Sequence, residues 1–581
     1  GSLRQEDGKI SAEQFAVSFG GARLQVSGDI GQLPSLAGTR LRFELAGEDL
    51  SRLLPPAVSG ESLVHAFAAS GRMSLSENEL EVERFRANIG HTTGGGDFVL
   101  GLEPFLGSGS FSVKADSPDL FQLLPTLKEV SVPQVAKMKY RGSGNWADNF
   151  WSFDDSRLEL GEGYLEIRGS LDGPPNFERT DIDVELLALS VRNFSVIAGR
   201  ELPDHPLRFH ARLVGTRDVM TMEDFELTFG ESDLHGQFTM RAGDVPAVDI
   251  DVTSRLFDIS EYMPESGEEP ETSVADDRVI PDSPLPLQLL RSFEADVDID
   301  IDEVRTRALN VLGFELDALV SAGALKIEKL SFVSQRGGYL TLSADLIPNE
   351  SGGADFSLIA DGKNLVTGSR AKNEQDLQQL PVWELRAELA ASGGTIRDLA
   401  ASMDGYIRLV GGAGRLPSGS LSFFTQDFVT ELVSTINPFT KSDPYTNVEC
   451  AVILLHFDDG VLEGSPAVVQ QTDKLRIFAN TTIDLKTEKL NADFKIVPRK
   501  GLGISLSGLV NPYIMLTGTL GKPSLVMNSE SVLIEGGVAV ATGGLSILAK
   551  SFKDRFLSEK DPCGKALAEA DEKYEARKSG N

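Results

Sequence analysis

Leu24-Gln25-Val26-Ser27-Gly28 alternates apolar and polar residues and closes on a glycine, and the chain writes this phrase four times. The other copies are Phe98-Val99-Leu100-Gly101, Leu165-Glu166-Ile167-Arg168-Gly169 and Ser232-Asp233-Leu234-His235-Gly236, with glycines 73, 68 and 67 residues apart. A second phrase travels with them at residues 49–55, 119–125, 193–195 and 258–264. Repetition at a fixed period outranks any single motif, because each unit buries its apolar face only against its neighbours. Working outward, Leu41-Arg42-Phe43-Glu44-Leu45, Phe111-Ser112-Val113-Lys114-Ala115 and Ile182-Asp183-Val184-Glu185-Leu186 keep the same period of two, the signature of a half-buried strand. The expected fold is mainly β: an elongated, curled antiparallel sheet of repeating units, with a few short helices and a helical C-terminal end.

Composition narrows the function classes. The chain has 581 residues, 41% of them hydrophobic, and a net charge of −32 from 87 acidic and 55 basic side chains. An acidic surface of this size argues against nucleic acid and against general adhesion to anionic headgroups. It suits a long β-surface that must stay soluble and avoid edge pairing. No apolar run reaches the ~18–20 residues of a spanning helix. Gly1-Ser2 reads as a cloning remnant with strand-like text directly behind it, so the chain is expected to be a portion of a longer protein. Cys450 and Cys563 are the two cysteines. Their spacing makes no zinc or redox motif, leaving two unrelated thiols or one disulfide in an oxidising compartment.

Four segments follow. Residues 3–263 carry the repeats. Residues 264–284 are acidic and rich in Pro, Ser and Glu, which predicts a flexible loop. Residues 285–531 resume β-text, opening with Glu294-Ala295-Asp296-Val297-Asp298-Ile299-Asp300-Ile301-Asp302. Those aspartates lack the Gly and distal Glu of a calcium-binding EF-hand loop and read as an exposed polar strand face. A short helix is expected over 396–403. Phe424, Phe428, Leu432 and Ile436 recur every four residues, predicting an amphipathic helix near 421–437 docked on the sheet. Residues 532–581 form an apolar stretch, 532–549, and a charged helical tail, read together as a C-terminal cap.

Convergent chemistry is absent from the text. The six histidines are scattered, and the spacing of His205 and His210 fits no common ligand pair. Thr93-Gly94-Gly95-Gly96 and Gly411-Gly412-Ala413-Gly414 lack the Lys and Ser/Thr of a phosphate loop and are expected to be turns. No G-x-S-x-G elbow or H-E-x-x-H helix occurs, so no enzyme, metal or cofactor is expected.

From Val279 onward the chain resembles the AsmA family of inner-membrane-anchored periplasmic proteins. The resemblance is carried in order by residues 280–287 leading into Asp296-Val297-Asp298-Ile299, then Ala391-Ser392-Gly393-Gly394 and Met403-Asp404-Gly405-Tyr406-Ile407. Cys450 with Asp459-Gly460-Val461, residues 484–490, Gly518-Thr519-Leu520-Gly521-Lys522-Pro523 and Asp561-Pro562-Cys563 complete it. It covers roughly the C-terminal half. It implies repeating β-groove units related to TamB-type bridge-like lipid-transfer proteins, in the periplasm of a Gram-negative bacterium. An N-terminal helix outside this chain would anchor them in the inner membrane. The implied role is phospholipid traffic between inner and outer membranes, with outer-membrane components as possible partners, no catalytic motif, and Cys450 paired with Cys563.

The residues expected to face a lipid groove are one parity of several strands: Leu24, Val26, Leu41, Phe43, Leu45, Phe98, Leu100, Phe111, Val113, Leu165, Ile167, Val184, Leu186, Val297, Ile299 and Ile301. A closed sandwich core would show the same alternation. The alternative function is a periplasmic scaffold for outer-membrane protein assembly, motivated by residues 532–549.

Overall fold

The computed structural model describes residues 1–581 except 7–8, 33, 51–64, 119–136, 174–176, 191, 193–203, 261–277, 307–309, 335, 367–373, 418–444, 500–512, 529–558 and 579–581. The helix expected near 421–437, the apolar stretch 532–549 and most of the second repeated phrase lie outside the described residues. The chain divides into two compact units, Gly1–Phe257 and Asp258–Asn581.

The first unit is an antiparallel meander. Its strands are β1 (Ser2–Glu6), β2 (Lys9–Phe19), β3 (Ala22–Ile30), β4 (Thr39–Gly47), β5 (Phe67–Leu75), β6 (Glu79–Ile89), β7 (Thr92–Leu102) and β8 (Phe105–Ser117). They continue as β9 (Met138–Ala147), β10 (Phe150–Leu160), β11 (Gly163–Asp172), β12 (Thr180–Ala188), β13 (Leu207–Gly215), β14 (Val219–Phe229), β15 (Ser232–Arg241) and β16 (Ala247–Ser254), with the short β17 (Phe257–Asp258) at the boundary. From β1 to β16 each strand pairs with its chain neighbours. Tight hairpins follow from local chemistry. Gly20 and Gly21 join β2 to β3 with φ of 57° and 83°, the left-handed pair a two-residue turn needs.

The true period of the unit is a bulged strand. Gln14 in β2, Arg84 in β6, Asp154 in β10 and Asp224 in β14 each lie in a β-bulge, at intervals of 70 residues. A bulge adds an unpaired residue and increases local twist, so every fourth strand bends the ladder. Gly28, Gly96, Gly169 and Gly236 pair beside these bulges on the following strand. Gly101, which the repeated phrase places in register with the others, instead pairs with Glu79 at the far end of β6. The equivalent glycine is Gly96. Thr93-Gly94-Gly95-Gly96, expected as a turn, lies inside β7.

The second unit continues in the same style. Its strands are β18 (Glu294–Arg305), β19 (Asn310–Ser321), β20 (Ala324–Ser334), β21 (Tyr339–Pro348), β22 (Ala354–Val366), β23 (Val382–Gly393), β24 (Asp404–Gly411) and β25 (Gly414–Pro417). Then come β26 (Tyr445–Asp458), β27 (Val461–Thr472), β28 (Leu475–Asp484), β29 (Lys489–Pro498), β30 (Tyr513–Thr519) and β31 (Pro523–Asn528). All pairings are antiparallel, β24 and β25 both pairing with β26. Helices are few: α1 (Leu287–Leu290), α2 (Glu374–Gln379), α3 (Ile396–Ala401) and α4 (Pro562–Lys578). Thr395 starts α3 with a capping box shared with Asp398.

The last part of the expected flexible loop is fixed. Buried Glu488 accepts the backbone N–H of Val279 at 2.8 Å and of Ile280 at 2.9 Å. Arg397 donates to the Ile280 carbonyl at 3.1 Å and pairs with Asp282 at 3.0 Å. Ser283 and Leu285 exchange backbone bonds with Ile396 and Gly394. Residues 279–285 thus form a strap across the second unit.

Candidate functional site

The register of the first unit places the predicted residues on one face and reveals their neighbours. One cross-strand row runs Ala12, Gly28, Leu41, Met73, Val82, Phe98, Phe111, Gly144, Phe153, Gly169, Ile182, Leu213, Met222, Phe238 and Ile250, from β2 to β16. A second runs Val17, Leu24, Leu45, Ala69, Ala87, Gly94, Ala115, Tyr140, Leu158, Leu165, Leu186, Phe209, Leu227 and Leu234. Between them lie Phe15, Val26, Phe43 and Gly71, then Phe85, Gly96, Val113, Gly142, Ser156, Ile167, Val184 and Ala211, interrupted only where bulges shift the register. Leu100 joins a parallel row with Gly109, Trp146 and Trp151. No residue named in these rows is charged, in a chain where 24% of residues are.

Every predicted residue of the first unit, from Leu24 to Leu186, is half-buried, whereas Arg42, Glu44, Ser112 and Lys114 between them are exposed. A second packed layer would bury these side chains as a sandwich core does. Aromatic rings lie against cross-strand glycines on this face. A Cβ at Gly71 would sit 3.0 Å from the Phe43 ring, and one at Gly144 would sit 3.2 Å from Phe111. Glycine lets the large ring lie down on the sheet, which keeps the face low. Phe111, Trp146, Trp151 and Phe153 form a chain of ring contacts, with Trp146 and Trp151 stacked at 5.2 Å. Phe209, Phe225 and Phe238 form another, with centroids 5.9 and 5.1 Å apart.

In the second unit Val297, Ile299 and Ile301 share one face of β18, while Asp296, Asp298, Asp300 and Asp302 stand exposed on the other. The row from Ile299 runs through Leu316, Leu330, Leu342, Ala360, Ala387, Ile407 and Leu455. Its large members are half-buried. The ends of the strands are closed more tightly. Leu287 and Leu290 of α1 pack on Ala295, Val320 and Ala354 at one end. At the other, Leu377 and Leu380 meet Val366, Trp383 and Ala451. The strand ends are therefore closed, while in the middle row Ala360 and Ala387 are buried and the large side chains stay half-buried.

The C-terminal helix takes the other face. Cys450 and Cys563 are joined by a disulfide with Cα atoms 6.4 Å apart. It seats Cys563 and Ala566 of α4 on Val452, Val469 and Phe478, which point away from the Ile453 and Leu455 side. Arg408 pairs with Asp571 of α4 at 2.7 Å.

Titration is perturbed away from the apolar rows. Arg212 beside Asp181 lowers that carboxyl below its usual range. A hydrogen bond to Glu185 raises the Tyr164 phenol, with Arg157 over its ring at 3.8 Å. Among the described residues no group of three His, Cys, Asp or Glu could hold a metal ion, and no helix is long and apolar enough to cross a membrane. What the apolar face offers is contact with hydrocarbon.

Compared with known proteins, the chain matches no family model and no curated protein.

Proposed function

We infer that the chain is a lipid carrier of the bridge-like type, covering phospholipid acyl chains on the apolar face of its sheets. The observation that carries this reading is the set of uncharged rows crossing every strand from β2 to β15 without a covering layer among the described residues. A phospholipid with ~30 chain methylenes loses on the order of 20 kcal/mol if both chains meet water, at ~0.8 kcal/mol per CH₂. A carrier must therefore keep the chains covered along the whole route. Four rows two residues apart make a floor on the order of 20 Å across, at ~3.4 Å per residue. Lipid moves along it by diffusion, with no chemical step. The second unit supports the same reading, since α1 and the Leu377–Leu380 segment close its strand ends while the large side chains of its middle row stay half-buried.

On the resemblance to the AsmA family, this carrier would work in the periplasm of a Gram-negative bacterium, held to the inner membrane and carrying phospholipid between inner and outer membranes. The disulfide agrees with an oxidising compartment. The scaffold reading rests on residues 532–549, outside the described residues, and no observation favours it. Organic extraction of the purified chain followed by mass spectrometry tests the carrier. Co-purifying phospholipid and transfer between vesicles are expected. A lipid-free chain that transfers nothing removes the reading.

A further inference from the structure

The polar face of β6 to β10 breaks with the charge of the whole chain. A hollow of about 740 Å³ opens there, lined by Arg84, Arg86, Lys114, Lys139, Arg141 and Arg157 against only Asp97, Asp116 and Glu159. Six basic groups and three acidic ones leave a local surplus of positive charge in a chain of net charge −32. The register makes this surplus expensive to hold. Lys114 pairs directly with Arg141, and Arg141 directly with Arg157. Like charges directly opposite one another destabilise a sheet. Gly95 lies between Arg86 and Lys114 in the same row and contributes no side chain, which opens the hollow.

Part of the charge is answered internally. Arg157 pairs with Glu166 at 3.0 Å and Glu159 at 3.4 Å, and Arg141 stands 3.9 Å from Asp155. Lys139 stands directly opposite Asp116 and Glu159 in the register, while among the described residues Arg86 and Lys114 have no acidic side chain within ion-pair distance. Asp97 is engaged by the backbone N–H of Arg84 at 2.7 Å, at the bulge.

We propose that this hollow binds a small phosphate-bearing polyanion. Guanidinium forks and ammonium groups together suit phosphate oxygens. The chain as a whole carries a net charge of −32, so an extended polymer such as nucleic acid would meet repulsion from it. The ligand is a soluble organophosphate or a phosphate headgroup. This site is independent of the carrier reading, since it lies on the opposite face.

The test titrates the purified chain with sodium tripolyphosphate by calorimetry and, separately, floats it with phosphatidylglycerol vesicles. Saturable tripolyphosphate binding that weakens at least tenfold as salt rises, in the manner of screened charges, is expected. The Lys114→Gln/Arg141→Gln variant should lose at least tenfold in affinity while melting no lower than the parent, because a like-charge pair is relieved. Arg86→Gln/Lys139→Gln is the second variant, should the first misfold, and Arg23→Gln on another strand is the control. Tripolyphosphate binding alone identifies a soluble ligand. Flotation lost in the same variants identifies a headgroup. Absence of both, or binding undiminished in both variants, overturns the proposal.

Discussion

Replacing Phe43 by aspartate separates a carrier from a core. Phe43 is half-buried, its ring lies on Gly71, and its row partner on β3 is Val26. Truncating a fully buried Phe costs about 3–5 kcal/mol, so removing a half-buried one should cost roughly 2 kcal/mol in stability. The sheet survives that loss. Passage of hydrocarbon over the new carboxylate does not, because an aspartate set among acyl chains is opposed by roughly 2.5–3.5 kcal/mol. At ~1.4 kcal/mol per tenfold, transfer of fluorescent phospholipid between vesicles should fall about a hundredfold. Glu44→Lys reverses a charge on the adjacent, exposed position and should leave transfer unchanged. Ile299→Asp repeats the test in the second unit, where Ile301, at 5% exposure, would report on folding instead. Wild-type transfer rates in folded Phe43→Asp and Ile299→Asp proteins would refute the groove assignment.

Further outcomes follow from single contacts. Cys563→Ser should release α4 from Val452, Val469 and Phe478. The disulfide closes a sequence separation of 113 residues, so up to ~4–5 kcal/mol is at stake on the chain-entropy account, read as a lower melting temperature and as protease cleavage within α4. Burial pushes the Asp493 carboxyl above its usual range. The folded state then holds this proton more tightly than the unfolded one, so stability falls as pH rises from the unfolded pKa through the folded one. Asp493→Asn should accordingly raise the melting temperature at neutral pH and lose that advantage in acid. Gly96→Ala would drive its Cβ into the Ser112 carbonyl oxygen and should cost at least ~2 kcal/mol. A Cβ at Gly94 meets the Lys114 carbonyl at 3.4 Å, so Gly94→Ala should be tolerated, and equal melting temperatures for the two variants would contradict the β7 register.

The mainly-β class, the short helix after Thr395 and the shared face of the predicted groove residues were legible because period-two alternation is a local signal. Part of what stayed hidden was hidden by the bulges, although Trp146, Phe209 and Phe238 on β9, β13 and β15 escaped the sequence reading without one. In β14 the apolar face passes from Met222 to Phe225, and in β10 from Phe153 to Ser156, because an extra residue flips the parity. The groove residues expected from sequence come from β3, β4, β7, β8, β11, β12 and β18, and none from the bulged strands β2, β6, β10 and β14. Trp151, Phe153, Phe225 and Phe85 were missed for that reason. The signal that could have found them is the 70-residue recurrence at positions 14, 84, 154 and 224, which no single residue type marks. Gly96 was obscured differently: three consecutive glycines weaken strand propensity, and only pairing with β6 and β8 decides their conformation.

The margins of the second unit bear on whether its apolar face is a floor or a core. In a closed core the middle of each strand is most buried and the ends fray toward water. Here the ends are closed as tightly as the middle among the described residues. Along β22, Ala354, Ala360 and Val366 are 0%, 5% and 6% exposed, while the large side chains Leu342 and Ile407 of the middle row are only half-buried. The agents of closure are short segments placed at the strand ends, α1 with Leu287 and Leu290, and α2 with Leu377 together with Leu380 just after it. A chain that needed only stability would cover its largest apolar side chains first, since burial of hydrocarbon is the main source of folding free energy. This one seals its rims and leaves Ile299, Leu316, Leu330 and Leu455 partly uncovered. Partly uncovered large side chains are costly for a core, and they suit the groove of the proposed carrier.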